Sequence, residues 1–263
     1  MLNTFENDWS LIDASELYNL ERWGLGYFDM DDEGFLVANP SSDSSKSIRI
    51  FDIVDHFLKR EGASPPVLVR FPGIINRRMN DINEAFRTAI KNFEYEGSYS
   101  TIFPVKVNQH LEVMQAALKS GKQYGGGLEA GSKAELYAVL ALADNDTPIL
   151  CNGFKDLAVI EMALRAAQLG RNVTIVIEKP NEVDLVLATS RRLGIRPKLG
   201  IRVKLSARGA GHWQSSGGSR SKFGLSIPHF ATSRGRLPRQ RPFAAFSSGQ
   251  SNYQRSQDQG FDY

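Results

Sequence analysis

Three stretches of the 263-residue chain carry side chains whose type and setting suit covalent or anion-binding chemistry. The first is Lys106 in STIFPVKV. A lysine acts as a covalent catalyst by forming a Schiff base with an aldehyde cofactor, which requires an amine held in a partly desolvated site. Taken alone, a strand lysine is more often structural. The second is the single cysteine, Cys151, inside the apolar run PILCN. It has no partner for an intrachain disulfide and no histidine near it in sequence, so it reads as a small core residue rather than a nucleophile. The third is the glycine-rich GHWQSSGGSRS at 211–221. It lacks the strand-then-helix context of a phosphate loop, so an ordinary loop competes evenly, with Trp213 as either a lid residue or the loop's anchor.

Such groups need a frame to hold them, and between Tyr99 and Leu205 one unit recurs, a short apolar strand followed by a helix with apolar residues three and four apart. The strand candidates are STIFPVKV, GGGLEAG, PILCNG, VTIVIEK and LGIRVKL. The helix candidates between them are HLEVMQAALKSG, KAELYAVLALAD, KDLAVIEMALRAAQLG and NEVDLVLATSRRLG, some ending on a glycine where a C-terminal cap belongs. Starts roughly 20 to 27 residues apart match successive βα units of a parallel sheet or barrel. Strand alternation predicts Phe103, Val105 and Val107 on one face and Ile102, Pro104 and Lys106 on the other. It likewise sets Ile201, Val203 and Leu205 against Arg202 and Lys204. Charged residues late in two strands favour a barrel, whose second face turns toward a polar mouth at the strand C-termini. Edge or solvent positions remain the plainer account of either residue alone.

Residues 1–66 lack this repeat and predict a separate β-rich region. WGLGYFDMDDEGFLVANP reads as a hairpin with DDEG in the turn, SSDSSKS at 41–47 as a flexible linker, and IRIFDIVDHFLKREG as an amphipathic helix. The helix leads into a strand, PVLVRF. Residues 67–230 then form the βα portion and 231–263 a tail.

With 41% hydrophobic and 23% charged residues the composition is that of a soluble globular protein. No run approaches the roughly 18 to 20 apolar residues of a membrane span, and MLNTFENDWS lacks the order of a secretory signal, so a cytoplasmic location is expected. The formal charge of +3 is uneven: five arginines and two aspartates follow residue 230, leaving 27 basic and 27 acidic residues before it. A nucleic-acid partner would rest on the tail alone.

FPVKVNQH at 103–110, GLEAGSKAEL at 127–136, CNGFKD at 151–156, VIEK at 176–179 and GHWQSSGGSRSKFGL at 211–225 resemble, in this order, segments of the biosynthetic arginine decarboxylases. These are relatives of the alanine-racemase-like barrel decarboxylases. The likeness runs from about Trp23 to Leu225, and its long WQSSGG…KFGL segment separates it from the shorter ornithine and diaminopimelate decarboxylases. The resemblance implies a (β/α)8 TIM-type barrel, present here as about five of eight strands. It implies pyridoxal phosphate held by Lys106 at the end of the first barrel strand, with L-arginine converted to agmatine and carbon dioxide for polyamine biosynthesis. The protonated ring would serve as electron sink. Glu129 and Arg202 match positions close to the cofactor. Ser132 and Glu135 are weaker candidates, since Ser-x-x-Glu is also a helix capping box. Magnesium and a homo-oligomer with shared active sites are further implications.

The likeness stops near Ile227, and residues 231–263 show neither helical nor strand periodicity, which predicts a disordered basic tail. Written in suitable synonymous codons, AAFSSGQSNYQ read one base later yields LHFHLGSQ, the next barrel strand of the resembled family. A frameshift between about Leu225 and Phe243 is therefore expected, and with it a chain inactive by itself. The other readings open at this point are a decarboxylase of another basic amino acid and a non-catalytic remnant or cofactor-binding regulatory protein.

Overall fold

A computed structural model describes residues 9–41, 46–60, 62–204 and 224–229, together with the backbone of 243–248 and 251–255. The chain divides into two units, 1–78 and 79–263.

In the first unit, helices α1 (Leu11–Leu17) and α2 (Leu20–Gly24) precede strands β1 (Phe28–Met30), β2 (Leu36–Ala38) and β3 (Ile48–Arg49) and helix α3 (Ile50–Leu58). Ser10 and Asp13 form a reciprocal capping box that starts α1. The expected hairpin is present, β1 pairing antiparallel with β2 and β2 with β3. Asp31 makes its turn: Oδ1 accepts from the Glu33 and Phe35 amides at 3.1 and 2.8 Å, while Gly34 takes φ +84°. Arg49 closes the sheet onto that turn through a 2.6 Å ion pair with Asp31. The region is thus a small sheet with three helices rather than simply β-rich. Most of the proposed linker SSDSSKS lies outside the described residues.

PVLVRF, expected as a strand, belongs to none. Pro66 has no N–H to give to a ladder, and Leu68 faces solvent. Helix α4 (Pro72–Asn92) follows, with proline at its first position, where a missing N–H costs nothing. The unit boundary falls inside α4, between Arg78 and Met79, rather than at residue 66.

The second unit holds the predicted repeat. Strands β4 (Ile102–Pro104), β5 (Gly127–Ala130), β6 (Ile149–Cys151), β7 (Val173–Ile177) and β8 (Lys198–Val203) alternate with helices α5 (Leu111–Gly121), α6 (Lys133–Leu142), α7 (Leu157–Gln168) and α8 (Pro180–Leu193). All five strands are parallel and lie side by side in chain order. A doubly wound sheet reverses its strand order partway, whereas this one never does, which is the winding of a (β/α)8-type wall. Leu128, Ile149, Ile175, Ile177 and Ile201 from the strands, with Leu136, Ile160 and Leu164 from the helices, are almost wholly buried between the layers. Each such side chain contributes about 1.5–3 kcal/mol by leaving water. Asp156 caps α7 by accepting from the Val159 amide at 2.8 Å, and Gly194, at φ +67°, ends α8.

Two expectations differ here. Strand β4 ends at Pro104, and Val105–Val107 is a 3-10 turn, so the predicted alternation does not extend to Lys106. Val105 is fully buried while Val107 is exposed, where alternation had placed both on one face. Proline at the strand's end cannot donate to a ladder, and the chain turns there. The tail also departs from its expected lack of structure: β9 (Phe243–Ser248) pairs parallel with β8, and β10 (Ser251–Arg255) pairs antiparallel with β9. The apolar FAAF run meets a β8 edge whose backbone groups need partners.

Candidate active site

The C-terminal ends of β4 to β8 gather the charged side chains singled out above. Because β4 stops at Pro104, Lys106 leaves the sheet on a tight turn just beyond the strand's end, its side chain 62% exposed. Its Nζ lies 3.7 Å from Oε1 of Glu129, the third residue of β5, whose carboxylate is only 5% exposed. An accessible amine thus stands over a buried carboxylate. That pairing suits an aldehyde cofactor: the amine can be reached from solvent, and the carboxylate holds it near the strand end.

Arg202, near the end of β8, is 17% exposed and donates from Nη1 to Oε1 of Glu178 at 3.0 Å. Glu178 follows β7 directly and is itself buried. The same oxygen accepts the Gly153 amide at 3.0 Å, so a donor from the turn after β6 and one from β8 fix one carboxylate. Gly153 stands at φ +70°, and a Cβ there would overlap the Gly131 carbonyl oxygen; the turns after β5 and β6 approach as closely as glycine allows.

Behind this edge lies a second, fully enclosed pair. Lys155 Nζ is 3.4 Å from Glu182 Oε2, with side chains 0% and 4% exposed. Lys155 also donates to the Gly153 carbonyl, and Glu182 Oε2 accepts the Glu178 and Lys179 amides at 2.7 and 3.3 Å. Among the described residues, Glu182 Oε1 and Asn152 Oδ1 are buried without a hydrogen-bond partner.

The sequence therefore located Lys106, Glu129 and Arg202 at one end of one sheet, and the structure joins the first two directly. Arg202 pairs with Glu178, which sequence reasoning had not selected. The signal was available, since Glu178 closes the apolar run VTIVI much as Glu129 sits late in GLEA. Lys155 and Glu182 gave none, because their burial depends on a turn and a helix that meet only in three dimensions. Ser132 and Glu135 act as the helix start: Ser132 Oγ accepts the Glu135 amide at 3.2 Å, and Glu135 accepts the Gly131 amide at 2.7 Å. Cys151 is buried, and burial pushes its thiol up to about 11, with the Lys155 ammonium opposing that rise; it is not a nucleophile at neutral pH. Trp213 and the GHWQSSGGSRS stretch lie outside the described residues. No group of three or more His, Cys, Asp or Glu side chains that could hold a metal ion occurs among the described residues. Nor is any helix among them long and apolar enough to cross a membrane.

Comparison with known proteins bears on this edge. A family model described as "Pyridoxal-dependent decarboxylase, pyridoxal binding domain" matches residues 79–237, more than half of the chain. A biosynthetic arginine decarboxylase of Rhodopirellula baltica is 44% identical over 90% of this chain and 35% of its own length. One of Neisseria meningitidis serogroup B is 44% identical over 82% and 34%. Among solved structures, a biosynthetic arginine decarboxylase from Campylobacter jejuni superposes with a TM-score of 0.71 at 33% identity, over 83% of this chain and 34% of that one. A diaminopimelate decarboxylase from M. jannaschi, at 17% identity and a TM-score of 0.58 over 85% of this chain and 47% of that one, shares the fold. The chain spans about a third of the length of the curated relatives it matches.

Proposed function

Because the chain belongs to the pyridoxal-dependent decarboxylases through their pyridoxal-binding domain, we propose that Lys106 is the amine that would carry pyridoxal phosphate. We further propose that the reaction served is the decarboxylation of L-arginine to agmatine and carbon dioxide. The observation that carries this reading is the exposed Lys106 amine at a strand C-terminus, 3.7 Å from buried Glu129. The arginine substrate is supported by relatives named biosynthetic arginine decarboxylase at 44% identity.

When bound, the cofactor supplies an electron sink for the pair left behind by a departing carboxylate. The chain's own residues then have distinct tasks. Glu129 holds the Lys106 ammonium near the strand end and would contact the cofactor. Arg202, fixed in orientation by Glu178, presents a guanidinium to the same edge. Lys106, its side chain 62% exposed, leaves its amine open to a reaction partner. A cytoplasmic, homo-oligomeric setting belongs to the same proposal, as the family resemblance implies. The chain alone is expected to turn over no arginine, as argued from its sequence.

Titration of the purified chain with pyridoxal phosphate, followed by borohydride reduction and peptide mapping, tests the cofactor half. The label is expected on the peptide bearing Lys106 and is lost in Lys106→Ala. A label that persists in that variant, or none in the parent, rejects Lys106 as the carrier. Agmatine release by the 263-residue chain would overturn the expectation that it is inactive alone.

A further inference from the structure

The geometry points to Lys155 and Glu182 as positioning residues that set the Glu178–Arg202 pair, an inference that rests on the reading that Arg202 contacts pyridoxal phosphate. Both charges are removed from water, which is costly, and an apolar pair would fill the same space without that penalty. Capping alone does not explain them. Glu182 would cap α8 equally well without a lysine, yet Lys155 is brought to it from the turn after β6.

What the lysine adds is a hold on the Gly153 carbonyl, while the Gly153 amide is held by Glu178. On the other side Glu182 holds the Glu178 amide, one residue past β7. The buried pair thereby ties the backbone of Gly153 to the backbone of Glu178. It fixes the spacing at which Glu178 Oε1 meets both the Gly153 amide and Arg202 Nη1, each at 3.0 Å. Gly153 has no slack to absorb a shift, because its turn already touches Gly131. Loosening the pair displaces the Glu178 carboxylate, and Arg202 follows.

A double-mutant cycle on pyridoxal phosphate affinity separates positioning from plain stability. Lys155→Met removes the tie, and Glu182→Gln keeps an acceptor for the Glu178 amide while removing the charge, so the second variant carries the test if the first does not fold. Each is expected to weaken binding about tenfold in the parent chain, as for a lost hydrogen bond to a charged group. In an Arg202→Met background the same change is expected to cost less than about twofold, since its path runs through Arg202. Equal losses in both backgrounds, or no loss in either, overturn the inference.

If the parent chain binds no pyridoxal phosphate, the cofactor reading fails, and hydrogen exchange at the Gly153 amide decides the positioning claim. Faster exchange there in Glu182→Gln, with the Leu128 amide of β5 unchanged, supports it. Unchanged exchange at Gly153 overturns it.

Discussion

The two halves of the sheet's C-terminal edge are built on opposite terms. At β4 and β5 the Lys106–Glu129 ion pair spans 3.7 Å, and its lysine is largely in solvent. At β6 to β8 Lys155, Glu178 and Glu182 are buried, each held by a backbone amide or carbonyl as well as by its charged partner. Exposed pairs are worth about 0–1 kcal/mol, whereas removing one member of a buried pair costs about 3–5 kcal/mol because the other is left uncompensated. On the proposed reading, the group that would react sits where little stability depends on it, and the groups that would hold position sit where more does.

The sharpest way to break this contrast is Lys155→Ala, expected to lower unfolding free energy by about 3–5 kcal/mol in urea titrations. A loss below about 1 kcal/mol would place Lys155 with the exposed ions. Next is the alkaline behaviour of Cys151, whose thiol ordinarily titrates at 9.0 and is raised by burial to about 11 in the folded chain. The folded state keeps a proton that the unfolded state loses. The contribution is therefore complete below pH 9 and is lost as pH rises through about 11, roughly 2–3 kcal/mol in all. Melting curves across that range should show the decline, and Cys151→Ala should flatten it. Gly153→Ala, with its positive φ and the Gly131 carbonyl in the way, is expected to cost about 2 kcal/mol, measured the same way. Smallest is Lys106→Ala, within about 0.5 kcal/mol of the parent although the cofactor label disappears.

Much of the frame was legible from period alone. Apolar runs such as PILC and VTIVI, each followed by residues spaced three and four apart, located β6 and β7 and the helices after them to within a few residues. Helix α4 carries the same signal, with Ile75, Met79, Ile82, Phe86 and Ile90 recurring three and four apart, but it was not assigned from the sequence. Alternation failed at Lys106 because a strand's end is set by where backbone hydrogen bonding stops. The candidate site was half visible. Lys106, Glu129 and Arg202 stand at strand ends, but Lys155 and Glu182 are 27 residues apart, and nothing in either neighbourhood marks them as buried partners.

The chain-order sheet has a consequence for how the molecule is made. From β4 to β8, paired residues such as Ile102 and Gly127, Ile149 and Val173, or Thr174 and Lys198 lie only 24 or 25 positions apart. Such near-neighbour pairing keeps contact order low for a parallel sheet and lets each βα unit dock as it leaves the ribosome. The newest strand is then a raw edge at every stage, as β4 is at the other side of the sheet, each with unmatched amides and carbonyls. Synthesis runs from β4 and the Lys106 turn that follows it, so the proposed carrier lysine is laid down before the buried charges of β6 to β8.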